Sequence, residues 1–436
     1  MKIYIKSGWG LVTVGEPKLH KGIGNAEERK RYNRAVTLEL VRTRGLVSKS
    51  ELSRLTDLKF PVVSEMTDEL VEEGLVEENG LGPSTGGRRP VLFGLRADAR
   101  CAIGLNVGTQ TLTAVVTDLN ASVMSRIEEP SEMAKGPETL FARVRETLHR
   151  LLDGLAEMQG KILGIGLALP APILGSRDAS FSPPSYPEWG ELRVGELLEA
   201  EFDLPVLLDN DANAAALGEH LYGAGRGAKD MFYLIAHRGV GGAAILDGFL
   251  HRGTQGGAGE IGHSIIDLDG PRCGCGRYGC LEAFAGRVAI ARRAAKALKL
   301  SGSRELAGKA PDEITTQDVI AAGRAGDRLA RDVLWETGRY LGLGIANVVN
   351  LYDPKLVVVG GSTLQAGDLI LEPAIETARR RAVTGMAEEV QIVQGKLGED
   401  AGAVGAAALV LRGLFAVSVP HERREKVAGL GPASLS

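Results

Sequence analysis

GEIGHSIIDLDGPRCGCGRYGCLE, residues 259–282, gathers one imidazole and three thiols into a glycine-rich stretch. Cys273, Cys275 and Cys280 follow His263 at offsets of 10, 12 and 17. One nitrogen and three thiolates make a closed tetrahedral set suited to Zn²⁺, and a set of four with no position left for water argues for a structural ion. The plainer alternative is a group of free thiols in a flexible loop. The chain holds only four cysteines, and its opening MKIYIKSGWG lacks the apolar block of a signal peptide. That combination points to a metal rather than to disulfides, and to a cytoplasmic protein.

On either side of this loop the chain has the composition of a soluble α/β protein. Its 436 residues are 44% hydrophobic and 24% charged, with 58 Gly, 18 Pro and 5% aromatics, enough apolar material for two or three cores. The longest apolar run, residues 162–174, is interrupted by Pro170 and Pro172, so no membrane span is expected. The net charge of −4 is unevenly placed. Residues 1–96 hold 16 Lys and Arg against 13 Asp and Glu, a mildly basic module ahead of an acidic one.

Residues 1–25 show no period and read as a flexible arm. From Ala26, apolar residues at Ala35, Leu38 and Val41 mark a helix ending near Gly45. Ser48 with Glu51 is a capping box opening a second helix, and Val63, Met66 and Leu70 set the inner face of a third that stops at Gly74. Two short strands, residues 75–79 and 90–95, flank the turn-rich GLGPSTGGRR, completing a winged helix-turn-helix over residues 26–96. Arg88 and Arg89 stand beside Gly86 and Gly87, where guanidinium groups can reach phosphates or a narrow minor groove. Residues 97–416 read as an α/β domain, and 417–436 as a disordered tail. Within that domain, DNDANAAALGE (209–219) opens a helix at the carboxyl end of a strand, where open α/β sheets place ligands. Asn210 and Asp211 there, with Glu260 and Glu282 flanking the cysteine loop, could bind sugar hydroxyls and supply a general base. Taken singly, Asp211 reads equally as an N-cap and Glu282 as a solvated helix residue.

STGGRRP, GLALPAP, NDANAAALGE, GGAGEIGH, CGCGRYGCLE and VVVGG follow one another in that order. From Asn33 to Leu411 the chain resembles the ROK family (repressors, open reading frames and kinases), in its winged-helix, xylose-repressor-like branch. The resemblance implies a two-lobed sugar-kinase fold of the actin and hexokinase type behind the winged helix, in a homodimer or homotetramer. It implies a sugar site of Asn210, Asp211, Glu260, His263 and Glu282, with Asp211 the base in members that phosphorylate. His263 would place one ring nitrogen on zinc and the other toward the sugar.

Two departures from the family's kinases predict a degraded nucleotide site. Asn106-Val107-Gly108-Thr109 replaces Asp-x-Gly-Gly-Thr, and His237-Arg238-Gly239-Val240-Gly241-Gly242 replaces Gly-Thr-Gly-x-Gly-Gly, which removes an anion and alters the entry to a phosphate cradle. The chain therefore reads as a sugar-responsive regulator, binding a two-fold DNA operator and released by a small-molecule sugar, rather than as an enzyme. The alternatives are an ATP-dependent sugar kinase with a vestigial DNA-binding head, and a scaffold binding neither ligand. A third departure bears on DNA. The third helix carries Lys59 as its one basic residue and is otherwise acidic, so bases would be read by Lys59, Ser64 and Glu65, with affinity from Arg88, Arg89, Arg42 and Arg44.

Overall fold

The computed structural model describes residues 3–7, 10–14, 25–83, 89–171, 173, 193–254 and 256–415, which fall into two compact units. The first contains residues 1–101, 118–122 and 410–436 and the second the remainder.

In the first unit the helices Ala26–Arg44, Lys49–Thr56 and Phe60–Glu72 stand as expected from their caps. Asn25 and Glu28 close a capping box on the first, Ser48 Oγ accepts the Glu51 N–H at 3.2 Å on the second, and Asp57 turns left-handed (φ 56°) to admit the third. Val63, Met66 and Leu70 are buried, fixing which face of the third helix is turned outward. The wing strands are Val76–Leu81 and Val91–Leu95, joined by a short strand Val47–Ser48 that the sequence did not announce. Strands Ile3–Ser7 and Gly10–Val14 pair antiparallel, where no period had been legible. The tip residue Arg88, the loop at 174–192 and the tail beyond 415 lie outside the described residues.

The second unit repeats one topology. Its first sheet runs Val206–Asn210, Ile162–Leu169, Cys101–Val107, Thr111–Thr117, Val123–Pro130. The other runs Phe249–His251, Val240–Leu246, Met231–Ala236, Leu356–Gly360, Gln391–Gln394. In each, the first three strands in sequence form an antiparallel meander and the fourth and fifth join beside the first. The duplicated sheet, with helices between its later strands, is the two-lobed sugar-kinase fold expected from the sequence. The helix Ala401–Phe415 lies tightly on the first sheet: a Cβ at Gly104 or Gly166 would run into the carbonyls of Ala403 and Ala406. Among the described residues no helix is long and apolar enough to cross a membrane.

Candidate functional site: a carboxylate cleft beside a histidine and three cysteines

One cleft of about 800 Å³ in the second unit is lined by Asn210, Asp211, Glu260, His263 and Glu282, and also by Asn106, Gly108, Thr109, Gly239, Gly241 and Gly242. Residues from widely separated motifs thus meet in one cavity, at the carboxyl ends of strands where this class of sheet leaves room for a ligand.

Asn210 is the last residue of its strand and the N-cap of the helix Asp211–Tyr222. Its Oδ1 accepts the N–H groups of Ala212 (3.0 Å) and Asn213 (3.2 Å), and its Nδ2 donates to the Ala171 carbonyl at 3.2 Å. The cap is therefore Asn210, not Asp211, which frees the Asp211 carboxylate to face the cleft. Asp211 Oδ1 accepts the neighbouring Ala212 N–H at 2.8 Å. Burial pushes the Asp211 carboxyl up to about 6, with Glu260 adding like-charge repulsion. Burial raises Glu260 also, opposed by His263 and reinforced by Glu282.

Glu260 and His263 sit on a short turn pressed against the strand Val240–Leu246. A Cβ at Gly259 would strike the Gly242 carbonyl, and one at Gly262 the Val240 carbonyl, so both glycines are required by close backbone approach. Glu282 is held from two sides: Oε2 accepts the Val240 N–H at 3.1 Å, and the Cys273 thiol donates to Oε1 at 3.5 Å. It is not a solvated helix residue but a link between the cysteine loop and the glycine-rich segment at residues 239–242.

The ligand atoms of His263, Cys273, Cys275 and Cys280 all lie within 4.8 Å of one another. His263 Nδ1 is 3.8 Å from Cys273 Sγ, and Cys275 Sγ is 3.8 Å from Cys280 Sγ. Two sulfurs bound tetrahedrally at ~2.3 Å from one ion are about 3.8 Å apart, so the spacing and the donor chemistry fit a metal ion held by these four residues. Burial pushes the Cys273 thiol up to about 12, and a bound cation is what would hold it as a thiolate. The other ring nitrogen, Nε2, is 4.0 Å from Glu260 Oε2.

Elsewhere in the cleft lining, Asn106, near the end of the strand Cys101–Val107, sits against Gly402, and its Oδ1 is buried without a hydrogen-bond partner. His237 Nδ1 lies 2.6 Å from Ser362 Oγ, which fixes an imidazole in the lining of the cleft.

In the winged unit, acidic side chains of the third helix and its C-cap pair with cations on neighbouring helices. Lys30 pairs with Glu65 (3.5 Å) and Glu69 (2.5 Å), Arg34 with Glu73, and Lys49 with Asp68 (2.5 Å). Lys49 also donates to Ser64 Oγ at 3.0 Å, which in turn donates to Asp68. Ser64 and Glu65 thus have protein partners, while Lys59 and the unforeseen Phe60, 51% exposed, stand at the helix start. Arg89 Nε donates to the Gly82 carbonyl at 2.9 Å and ties off the wing. The expectation that Arg42 contributes DNA affinity is corrected: its side chain is only 7% exposed, forks onto Glu39 at 2.7 and 2.8 Å and stacks over Phe415.

The sequence pattern of the ROK family matches residues 102–413. The xylose repressor of Caldicellulosiruptor bescii is 33% identical over 398 residues, covering 89% of this chain and 98% of that protein. The solved structure of a ROK family transcriptional regulator, a homologue of the E. coli MLC protein, superposes with a TM-score of 0.74 at 26% identity, over 89% of this chain and 97% of that one. A ROK family glucokinase from Streptomyces griseus, solved with glucose and AMPPNP, gives a TM-score of 0.62 at 30% identity, over 71% of this chain and 98% of that one.

Proposed function

The chain belongs to the ROK family, and from that premise we propose that it is a sugar-responsive, DNA-binding transcriptional regulator, a repressor of carbohydrate-metabolism genes released by its sugar. The observation that carries this reading is the match to a xylose repressor along 89% of the chain and 98% of that protein. The kinase likeness spans only 71%. The carboxylate cleft supports it: Asn210, Asp211, Glu260, His263 and Glu282 offer the mixture of acceptors and donors that a polyol takes up through paired hydroxyls. On this reading residues 26–96 bind DNA and 97–416 bind the sugar.

A zinc ion is the metal that one histidine and three cysteines select. Held by His263, Cys273, Cys275 and Cys280, it would serve a structural role, fixing the tautomer and direction of His263 so that Nε2 faces the sugar. The protein's own residues do the binding. Glu260 and Glu282 accept hydrogen bonds from sugar hydroxyls, Asp211 and Asn210 fix the other end of the ring, and Gly259 and Gly262 hold Glu260 and His263 against the sheet. The two lobes that carry these residues are drawn together by a ligand that touches both. In a homodimer or homotetramer that closure would alter the spacing of the DNA-binding heads and release a two-fold operator. DNA contact would come from Lys59 and the wing arginines Arg88 and Arg89, with Ser64 and Glu65 near the groove.

The rival reading is a sugar kinase, and Asp211, poised near 6, is the feature that favours it. Asn106 argues the other way, since an amide in place of a carboxylate leaves Mg²⁺-ATP without its anion. Calorimetry of the full chain against pentoses, hexoses and N-acetylated sugars, beside an ATP-coupled phosphorylation assay, separates the two. Sugar binding without turnover is the expected result. Phosphorylation abolished by Asp211→Asn would replace the regulator with the kinase.

A further inference from the structure

One buried charge behind the cleft has no part in the sugar set. Asp209 is 3% exposed, one residue before Asn210 in the strand Val206–Asn210 of the first sheet. Its Oδ1 accepts the Asn210 N–H and the Asn213 side-chain amide, each at 2.9 Å. Its Oδ2 accepts from the guanidinium of Arg252. Arg252 belongs to the other lobe, directly after the strand Phe249–His251. Its carbonyl accepts the Ala258 N–H at 3.1 Å, closing the loop that delivers Glu260 and His263 to the cleft.

The helix start does not need this carboxylate, because Asn210 already caps it. Removing a carboxylate from water is unfavourable, and an apolar residue would pack there with less penalty. What the ion pair does provide is a fixed link. It joins the backbone that carries Asn210 and Asp211 in one lobe to the loop that carries Glu260 and His263 in the other, behind the cavity.

We propose that Asp209 and Arg252 are a positioning pair, a buried pivot between the lobes that keeps the two halves of the polyol site in register and passes sugar occupancy from one lobe to the other. The inference rests on the sugar-binding reading. Neither residue lines the cleft. The Asp209 oxygens are engaged by Asn210, Asn213 and Arg252, and the guanidinium is directed at the carboxylate.

The test uses the full chain with D-xylose, D-glucose and N-acetyl-D-glucosamine as probes, in wild type, Arg252→Met, Arg252→Lys and Asp209→Asn. Asn at 209 keeps an oxygen for the Asn210 N–H while removing the charge. For whichever probe binds wild type, Arg252→Met and Asp209→Asn are expected to raise the Kd about 10–100-fold, the size of effect seen when a group that orients a ligand-binding residue is removed. They should also shrink the sugar-induced rise in Tm, whereas Arg252→Lys restores most of both. A merely structural pair would lower the Tm without sugar and leave the sugar-induced increment intact, and that result overturns the proposal. Should Arg252→Met fail to fold, Asp209→Asn and Arg252→Lys decide it by the same increment. If no probe binds wild type, the sugar-sensor reading falls and the pivot with it; if wild type binds and the variants bind equally, only the pivot falls.

Discussion

Replacing Asp211 by Asn should make the unliganded protein more stable while damaging its function, and the size of the gain should depend on pH. Burial in the cleft wall moves the Asp211 carboxyl from 3.8 to about 6. The folded state therefore favours the neutral acid more than the unfolded chain does. That stabilisation is fully present below 3.8 and is lost as pH rises through about 6. The difference corresponds to about 3 kcal/mol at pH 8 and roughly half of that at pH 5. Asn has the same shape, keeps an oxygen for the Ala212 N–H that Asp211 accepts at 2.8 Å, and carries no charge at any of these values. Urea titrations of the two proteins at both pH values, taken as variant minus wild type, cancel the titrating groups that do not interact with Asp211, leaving Asp211 with a smaller contribution from its neighbour Glu260. The expected outcome is a gain for Asp211→Asn of about 3 kcal/mol at pH 8, shrinking by about half at pH 5. Loss of the charged hydrogen bond to sugar should weaken binding about 10–100-fold. A difference that does not vary with pH, or a variant less stable at pH 8, would refute the reasoning.

The remaining perturbations act on the site's supports. In Gly262→Ala the new methyl meets the Val240 carbonyl, a backbone atom that cannot swing aside; stability should fall by about 1–3 kcal/mol by calorimetry and sugar affinity with it. Cys275→Ser removes one of four clustered donors; metal analysis of the purified protein should find about one zinc per wild-type chain and far less per variant chain, and full occupancy in the variant would dismiss the ligand set. Lys49 holds the Asp68 carboxyl below its usual range. Lys49→Met should expose that charge to phosphates and weaken operator binding about fivefold to tenfold at about 50 mM salt, less at higher salt, as fluorescence anisotropy would read.

The three helices of the winged unit were legible because Ala35, Leu38, Val41, Val63, Met66 and Leu70 recur at helical spacing and Ser48 announces a cap. That Asn210, Asp211, Glu260, His263 and Glu282 would share one cleft, and that His263 and the three cysteines would lie together, was legible from motif order. The strand Val123–Pro130 went unseen because it is an exposed edge with Glu, Ser and Arg along it. The charge balance of the third helix was misjudged for a different reason. Its partners Lys30, Arg34 and Lys49 lie on other helices, and no spacing within one segment predicts a pairing between segments. Arg42 looked like a DNA contact because a basic residue in a helix is usually solvated, yet i,i+3 pairing with Glu39 and stacking on the distant Phe415 bury it. Asp209 was passed over beside Asn210 and Asp211, since nothing local indicates that Arg252 will reach it.

The measurement that bears most directly on the account is the affinity of the full-length protein for its own upstream DNA, at low and moderate salt, with and without the sugar that calorimetry identifies. The account predicts salt-dependent binding to a two-fold site that the sugar weakens by roughly tenfold or more. Operator affinity unchanged at saturating sugar, or no binding even at low salt, would contradict it.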